Sequence, residues 1–169
     1  AGERYSDIIQ SCYERINFFK DDRLVALTKK ESLNLEKEGM DYQKKISDLK
    51  ERVRIVNETP GAVLLSIHQN YFSDRQYSGA QIFYANTEGS AKLAKQLQAD
   101  MVSNLNRGSK RQAKKSVGIF LMEQIECTGI LVECGFLSNP QEEKTLRDET
   151  YQKKLSAVIA ATVSRHLSN

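Results

Sequence analysis

AVLLSIHQN, residues 62–70, is the stretch of sequence that decides the fold. Its first six residues are almost wholly apolar, which predicts a strand buried on both faces of a sheet. A second apolar run, LVECGFLSN, occupies residues 131–139. The first run ends by presenting His68, and the second presents Glu133. Because the carboxyl ends of strands in an open α/β sheet meet at one crevice, we expect His68 and Glu133 to share a site.

The rest of the chain alternates predicted helices with predicted strands. Apolar residues at helical spacing predict helices over residues 5–19, 46–56, 91–105 and 151–167. Further short apolar runs predict strands over residues 23–28, 79–85, 117–122 and 129–134. Ser90 is the predicted N-cap of the third helix, and Asn139-Pro140 begins another helix. Residues 29–45 are polar without a clear period, which predicts an exposed excursion.

Length and composition narrow the class of protein. The 169 residues suit one α/β domain over 1–169, with a mostly parallel sheet and helices on both faces. The net charge of +3 is too small to indicate nucleic-acid binding by itself. No apolar run approaches the roughly 20 residues of a membrane span. Cys12, Cys127 and Cys134 lack the spacing of a zinc site, which favours small buried side chains.

Taken singly, His68 and Glu133 each fit a structural role as well as a catalytic or metal-binding one. The two together indicate a functional site more strongly than either alone. A lone histidine at a strand end is more often structural than a metal ligand. A carboxylate inside an apolar strand needs a partner, for which a metal or a bound water is a good candidate. The remaining histidine, His166, falls in the last turn of the final helix, where a protonated imidazole suits the helix dipole. Since a catalytic zinc takes three protein ligands, the residues alone leave a ligand missing.

Three blocks of sequence carry a resemblance to a known family. They are SIHQN at residues 66–70, SGAQIFY at 78–84 and LVECGFLSNP at 131–140. Together they resemble the zinc-dependent N-acetylmuramoyl-L-alanine amidases of the amidase type 3 family. The last block is highly specific, and the match covers nearly the whole chain. The arrangement is most similar to the spore-associated, germination-specific branch of that family.

The resemblance implies a peptidoglycan hydrolase. Such an enzyme cleaves the amide between the lactyl group of N-acetylmuramic acid and L-alanine of the stem peptide, in the cell wall or spore cortex outside the cytoplasm. It implies Glu133 as the catalytic base, and His68 and Glu3 as zinc ligands. A further histidine ligand of the family belongs to an upstream Gly-His-Gly-Gly strand. Because that block is not in this sequence, we expect an N-terminally incomplete domain without its first strand.

Several alternatives stay open. The chain could instead be a non-catalytic cell-wall-binding or regulatory module of the same fold, which its zinc content would distinguish. Asn70 fits two roles: it orients His68 or the substrate, or it is simply a turn residue. Residues 107–115 contain five basic side chains, which fit a solvated loop, a rim for substrate carboxylates or, less well without interleaved aromatics, a nucleic-acid site. We expect peptidoglycan and no nucleic acid as a ligand, and leave open an activating partner protein.

Overall fold

The computed structural model describes residues 24–28 and 42–168. The predicted helix over 5–19 and residues 29–41 of the predicted excursion lie outside these ranges, as does Cys12. The described helices and strands, in chain order, are β1 (Leu24–Thr28), α1 (Tyr42–Glu58), β2 (Val63–Asn70), β3 (Gln81–Tyr84), α2 (Ser90–Asn104), β4 (Lys114–Lys115), α3 (Phe120–Gln124), β5 (Thr128–Phe136), α4 (Pro140–Arg147) and α5 (Glu149–Leu167).

The strands form one mixed sheet in the order β1-β2-β5-β3-β4. β2 runs parallel to both β1 and β5, and β4 runs parallel to β3. β3 is antiparallel to β5. The prediction of a mostly parallel sheet is therefore confirmed, and the two long apolar strands, β2 and β5, lie side by side within it.

Helices cover both faces of the sheet, as predicted. Alternate residues of β2 and β5, such as Leu65 and Val132, pack against α2 and α5. The intervening residues Leu64 and Leu131 pack with Val56 of α1 and with α3. Because successive strand residues point to opposite faces, the two strands contribute to two separate cores. This double burial explains why residues 62–67 lack a polar alternation.

Local chemistry explains the helix ends. α1 carries its apolar stripe as predicted and ends before Gly61, whose φ of 67° is a left-handed conformation that favours glycine. α4 begins at the predicted cap, where the Asn139 side chain accepts hydrogen bonds from the backbone N–H groups of Gln141 and Glu142. No helix in the described ranges is both long enough and apolar enough to cross a membrane.

Two predictions about local structure are wrong. Residues 117–122 do not form a strand; instead α3 packs Leu121 and Met122 into the core. Val117 is 83% exposed and Gly118 has a φ of 74°, so the chain turns away from the sheet before this apolar run. Residues 42–45 belong to α1 and not to an exposed excursion, because an amphipathic helix once formed extends readily through polar residues.

The predicted cap of α2 is also wrong. Gly89 occupies the N-cap position with a φ of 78°, and no side chain caps the helix. Ser90 is buried, and its Oγ accepts a hydrogen bond of 2.8 Å from the backbone N–H of Gly129. The Ser90 hydroxyl therefore bonds to β5 and does not cap α2, which is the role that the sequence predicted for it. As predicted, Cys134 is buried, while burial raises the pKa of the partly exposed Cys127 thiol.

Candidate active site

His68 and Glu133 lie directly opposite each other on adjacent parallel strands. They are register partners in the β2–β5 pair, at the usual strand separation of about 4.8 Å. Both share the face that carries Leu64 and Leu131, and both are partly buried. The structure thus brings the two sequence-predicted side chains together. The strand also continues beyond its apolar part, because His68 and Gln69 lie within β2, which ends at Asn70.

The neighbours of this pair are polar. The Ser66 hydroxyl oxygen lies 2.8 Å from Nε2 of His68, two residues earlier on the same face of β2. This hydrogen bond holds the imidazole in one orientation. On the other side of β5, Gln81 of β3 is the register partner of Glu133. The carboxylate therefore sits between an imidazole-bearing strand and an amide-bearing strand, in a row of three hydrogen-bonding side chains.

An extra residue in β5 lies immediately after Glu133. Glu133 pairs with His68, and Phe136 pairs with Asn70, so β5 takes three steps where β2 takes two. This β-bulge reverses the alternation of side chains, since Cys134 and Leu137 both pack on the α2 and α5 core although they are an odd number of residues apart. Phe136 consequently lies on the same face as Glu133.

Glu142 fixes the backbone around this bulge. Its Oε1 accepts a hydrogen bond of 2.7 Å from the N–H of Gly79, and its Oε2 accepts one of 2.8 Å from the N–H of Phe136. Asn70 is the last residue of β2, and its carbonyl accepts a hydrogen bond of 2.8 Å from Leu137 N–H. One carboxylate in the first turn of α4 thus ties the end of β5 to the segment that enters β3.

The arrangement matches a known family. The sequence profile described as N-acetylmuramoyl-L-alanine amidase matches residues 16–165. This chain belongs to the N-acetylmuramoyl-L-alanine amidase family.

Relatives within the amidase family are similar in sequence and structure. The germination-specific N-acetylmuramoyl-L-alanine amidase of Bacillus subtilis is 34% identical over 148 residues, which cover 86% of this chain and 62% of that protein. The CwlD amidase from Clostridioides difficile, solved in complex with the GerS lipoprotein, has a TM-score of 0.77 at 29% identity and covers 96% of this chain and 85% of its own. An N-acetylmuramoyl-L-alanine amidase from Clostridium difficile 630 has a TM-score of 0.65 at 31% identity, covering 72% of this chain and 66% of its own. The chain therefore spans less than two thirds of the curated Bacillus relative.

His68 is the one predicted zinc ligand among the described residues of this amidase-family chain. A catalytic zinc takes three protein ligands and one open position. Within residues 24–28 and 42–168, no group of three or more His, Cys, Asp or Glu side chains is placed to hold a metal ion. The imidazole of His68 fits one ligand position beside Glu133. Glu3, the other predicted ligand, lies outside the described residues.

His166 lies near the opposite end of β5 and does not contribute to this site. It is in the last turn of α5, close to Gly89 and to the first residue of β5. Burial and, secondly, the nearby Lys92 ammonium lower the pKa of His166. His166 thus lies in the last helical turn as predicted, while its lowered pKa favours the neutral imidazole there.

Three residues that shape the site were not assigned to it from sequence: Gln81, Arg111 and Glu142. For Glu142 a signal existed, since an acidic residue in the first helical turn follows directly on the strand that carries Glu133. Gln81 lies in a resemblance block, but its pairing with Glu133 depends on strand order. Arg111 contacts Phe136 across 25 positions of sequence, a separation that no local pattern reveals.

Proposed function

We propose that this chain is a zinc-dependent peptidoglycan hydrolase that cleaves the amide between the lactyl group of N-acetylmuramic acid and L-alanine of the stem peptide. Family membership over residues 16–165 supports this activity. The observation that carries the proposal is the register pairing of His68 with Glu133. Amide hydrolysis needs a proton acceptor beside the group that activates water, and this pairing supplies both positions.

The chain's own residues take distinct parts in this reaction. His68 and Glu3 would hold a zinc ion, which would lower the pKa of a water molecule and polarise a carbonyl group. Glu133 takes a proton from the attacking water as the new C–O bond forms. Glu133 then returns that proton to the amide nitrogen as the C–N bond breaks, so a carboxylic acid and the free amine of L-alanine result. Ser66 keeps the His68 ring oriented through its 2.8 Å hydrogen bond.

The place of action and the partner belong to the same proposal. The similarity to a germination-specific amidase supports a role at the spore cortex, outside the cytoplasm. The CwlD amidase forms a complex with the GerS lipoprotein, which supports a partner protein for this chain as well. Phe72 and Tyr77, which are 48% and 46% exposed in the segment after β2, provide apolar surface near the site for such a contact.

Glu133→Gln tests the catalytic role. This variant keeps the shape of the side chain and removes the base, so we expect muropeptide amide cleavage to fall by about 10²–10⁴-fold. Zinc content, measured on the same samples, should change little, whereas it should fall in His68→Ala. Glu126→Gln is the matched control, because Glu126 is exposed just before the same strand. Full cleavage by Glu133→Gln would contradict the proposed base.

Zinc content also separates the hydrolase from its alternative. A chain without bound zinc that retains muropeptide binding but cleaves nothing would be a cell-wall-binding module of the same fold. Loss of both activity and zinc in Glu133→Gln would make Glu133 a metal ligand. In that case His68 and Glu133 would form a metal site, and the base would have to be another residue.

A further inference from the structure

Arg111 makes three contacts at the side of the candidate site. Its guanidinium carbon lies 4.9 Å from the centroid of the Phe136 ring, a cation–π distance. Its Nε donates a hydrogen bond of 2.8 Å to the carbonyl of Ser78, and one Nη donates at 3.3 Å to Oε1 of Gln81. Three contacts on different segments thus fix a side chain that on most surfaces would be mobile.

Arg111 is positioned without a counter-charge. Several other arginines form ion pairs with carboxylates, for example Arg147 with Glu143 and Arg165 with Asp100. Arg111 forms none within the described part of the chain, although its hydrogen bonds use only some of its five N–H donors. A partly buried guanidinium with donors to spare is a ready partner for a carboxylate, which it can bind through two parallel hydrogen bonds.

The space next to Arg111 is a cleft of about 730 Å³. Lys110 and Lys114 also line it, and Asp74 is the one acidic residue among its lining side chains. Asp74 is already engaged, because its Oδ1 accepts a hydrogen bond of 2.9 Å from the N–H of Gln76. The cleft therefore carries an excess of positive charge, which attracts anions from solution.

The cleft adjoins the reaction centre. Arg111 contacts Gln81, the register partner of Glu133, and Phe136, which the bulge puts on the face of Glu133. Gln81, which accepts a hydrogen bond from Arg111, therefore lies one strand spacing from Glu133. A peptide extended by two residues spans about 7 Å. A substrate whose scissile amide lies at Glu133 can thus place its next one or two residues in this cleft.

We propose that Arg111 is a specificity-determining residue that binds a free carboxylate of the substrate peptide, within two residues of the scissile amide. This inference rests on the proposed hydrolase function and names the substrate class of that site: peptides with an acidic residue or a free carboxyl group close to the cleaved bond. Lys110 and Lys114 add long-range attraction, while Arg111 makes the oriented contact.

Two synthetic muropeptides test the inference. They differ only in the side-chain or terminal group of the residue after L-alanine, which is a carboxylate in one and a carboxamide in the other. For Arg111→Gln we expect the KM for the acidic substrate to rise about 10- to 100-fold, as for loss of a hydrogen-bonded charge, with kcat little changed. The KM for the amidated substrate should hardly move, and Arg111→Lys should fall between.

Controls separate recognition from folding and from the reaction itself. Arg107→Gln removes an exposed charge from the same basic segment and should leave both KM values unchanged. Equal losses on the two substrates in Arg111→Gln would overturn the carboxylate site and leave a structural role. Tighter binding of a single-stranded oligonucleotide than of the acidic muropeptide would overturn it in favour of nucleic acid.

A binding measurement keeps the two proposals distinguishable. Calorimetry with the acidic peptide reports on Arg111 even if the unmodified protein cleaves neither substrate. Weaker binding to Arg111→Gln than to the unmodified chain, with no cleavage by either, would support the carboxylate site and refute the hydrolase. Equal binding by both proteins, together with cleavage, would refute the carboxylate site and retain the hydrolase.

Discussion

Replacing Glu142 by glutamine should lower the free energy of unfolding by about 2 kcal/mol, because one charge-assisted hydrogen bond contributes roughly 1.5–3 kcal/mol. The two carboxylate oxygens accept from the N–H groups of Gly79 and Phe136. Glutamine keeps one acceptor oxygen and turns an NH₂ group toward the other N–H. One backbone donor then loses its partner, and the favourable position of a negative charge in the first turn of α4 is lost as well.

Urea denaturation measures this effect directly. We expect a lower transition midpoint with an unchanged m value, since the surface exposed on unfolding stays the same. Glu143→Gln is the matched control. It removes the adjacent carboxylate, which forms an exposed i,i+4 ion pair with Arg147 and should contribute only about 0.5 kcal/mol. Equal destabilisation by the two variants would refute the bridging role of Glu142.

Two further predictions concern residues around the start of β5, far from Glu133. Gly89→Ala should lower the free energy of unfolding by about 1–3 kcal/mol, since a Cβ there would lie 2.6 Å from Oγ1 of Thr128 at a φ of 78°. Gly108 has a similar φ but open space around it, so thermal melts of Gly108→Ala provide the control for the steric clash. Equal losses of stability in the two variants would contradict the clash. Because burial and Lys92 lower the pKa of His166, the unfolded chain takes up its proton first, and stability should fall as the pH drops below about 6.5. The slope of unfolding free energy against pH should shrink in His166→Gln. An unchanged slope would show that this histidine is not the source of the pH dependence.

The sequence was sufficient for the elements whose burial pattern is local. The apolar runs of β2 and β5 predict their strands, and Asn139 predicts its helix cap because the capping bond spans only two or three residues. The juxtaposition of His68 with Glu133 followed from a general rule about strand ends in α/β sheets. The structure extends this to direct register pairing.

Long-range contacts explain the errors. The apolar residues of α3 satisfy a strand pattern as well as a helical one, because five residues are too few to reveal a period. Ser90 has the residue type of a cap, yet its hydroxyl bonds to Gly129 some 39 positions away. Arg111 and Glu142 act at the site through partners on other strands, so their roles depend on the order of strands in the sheet.

The bulge in β5 sets which face of the sheet carries the Phe136 ring, separately from the pairing of Glu133 with His68. If the same residues followed regular alternation without the bulge, Glu133 would stay opposite His68 and the Phe136 ring would turn to the other side of the sheet. The support beneath Arg111 would go with it. The bulge therefore acts on the Arg111 contact without moving Glu133 away from His68. Under the proposed roles, loss of the bulge would thus alter peptide selection while the pairing of the proposed base with His68 stays as it is.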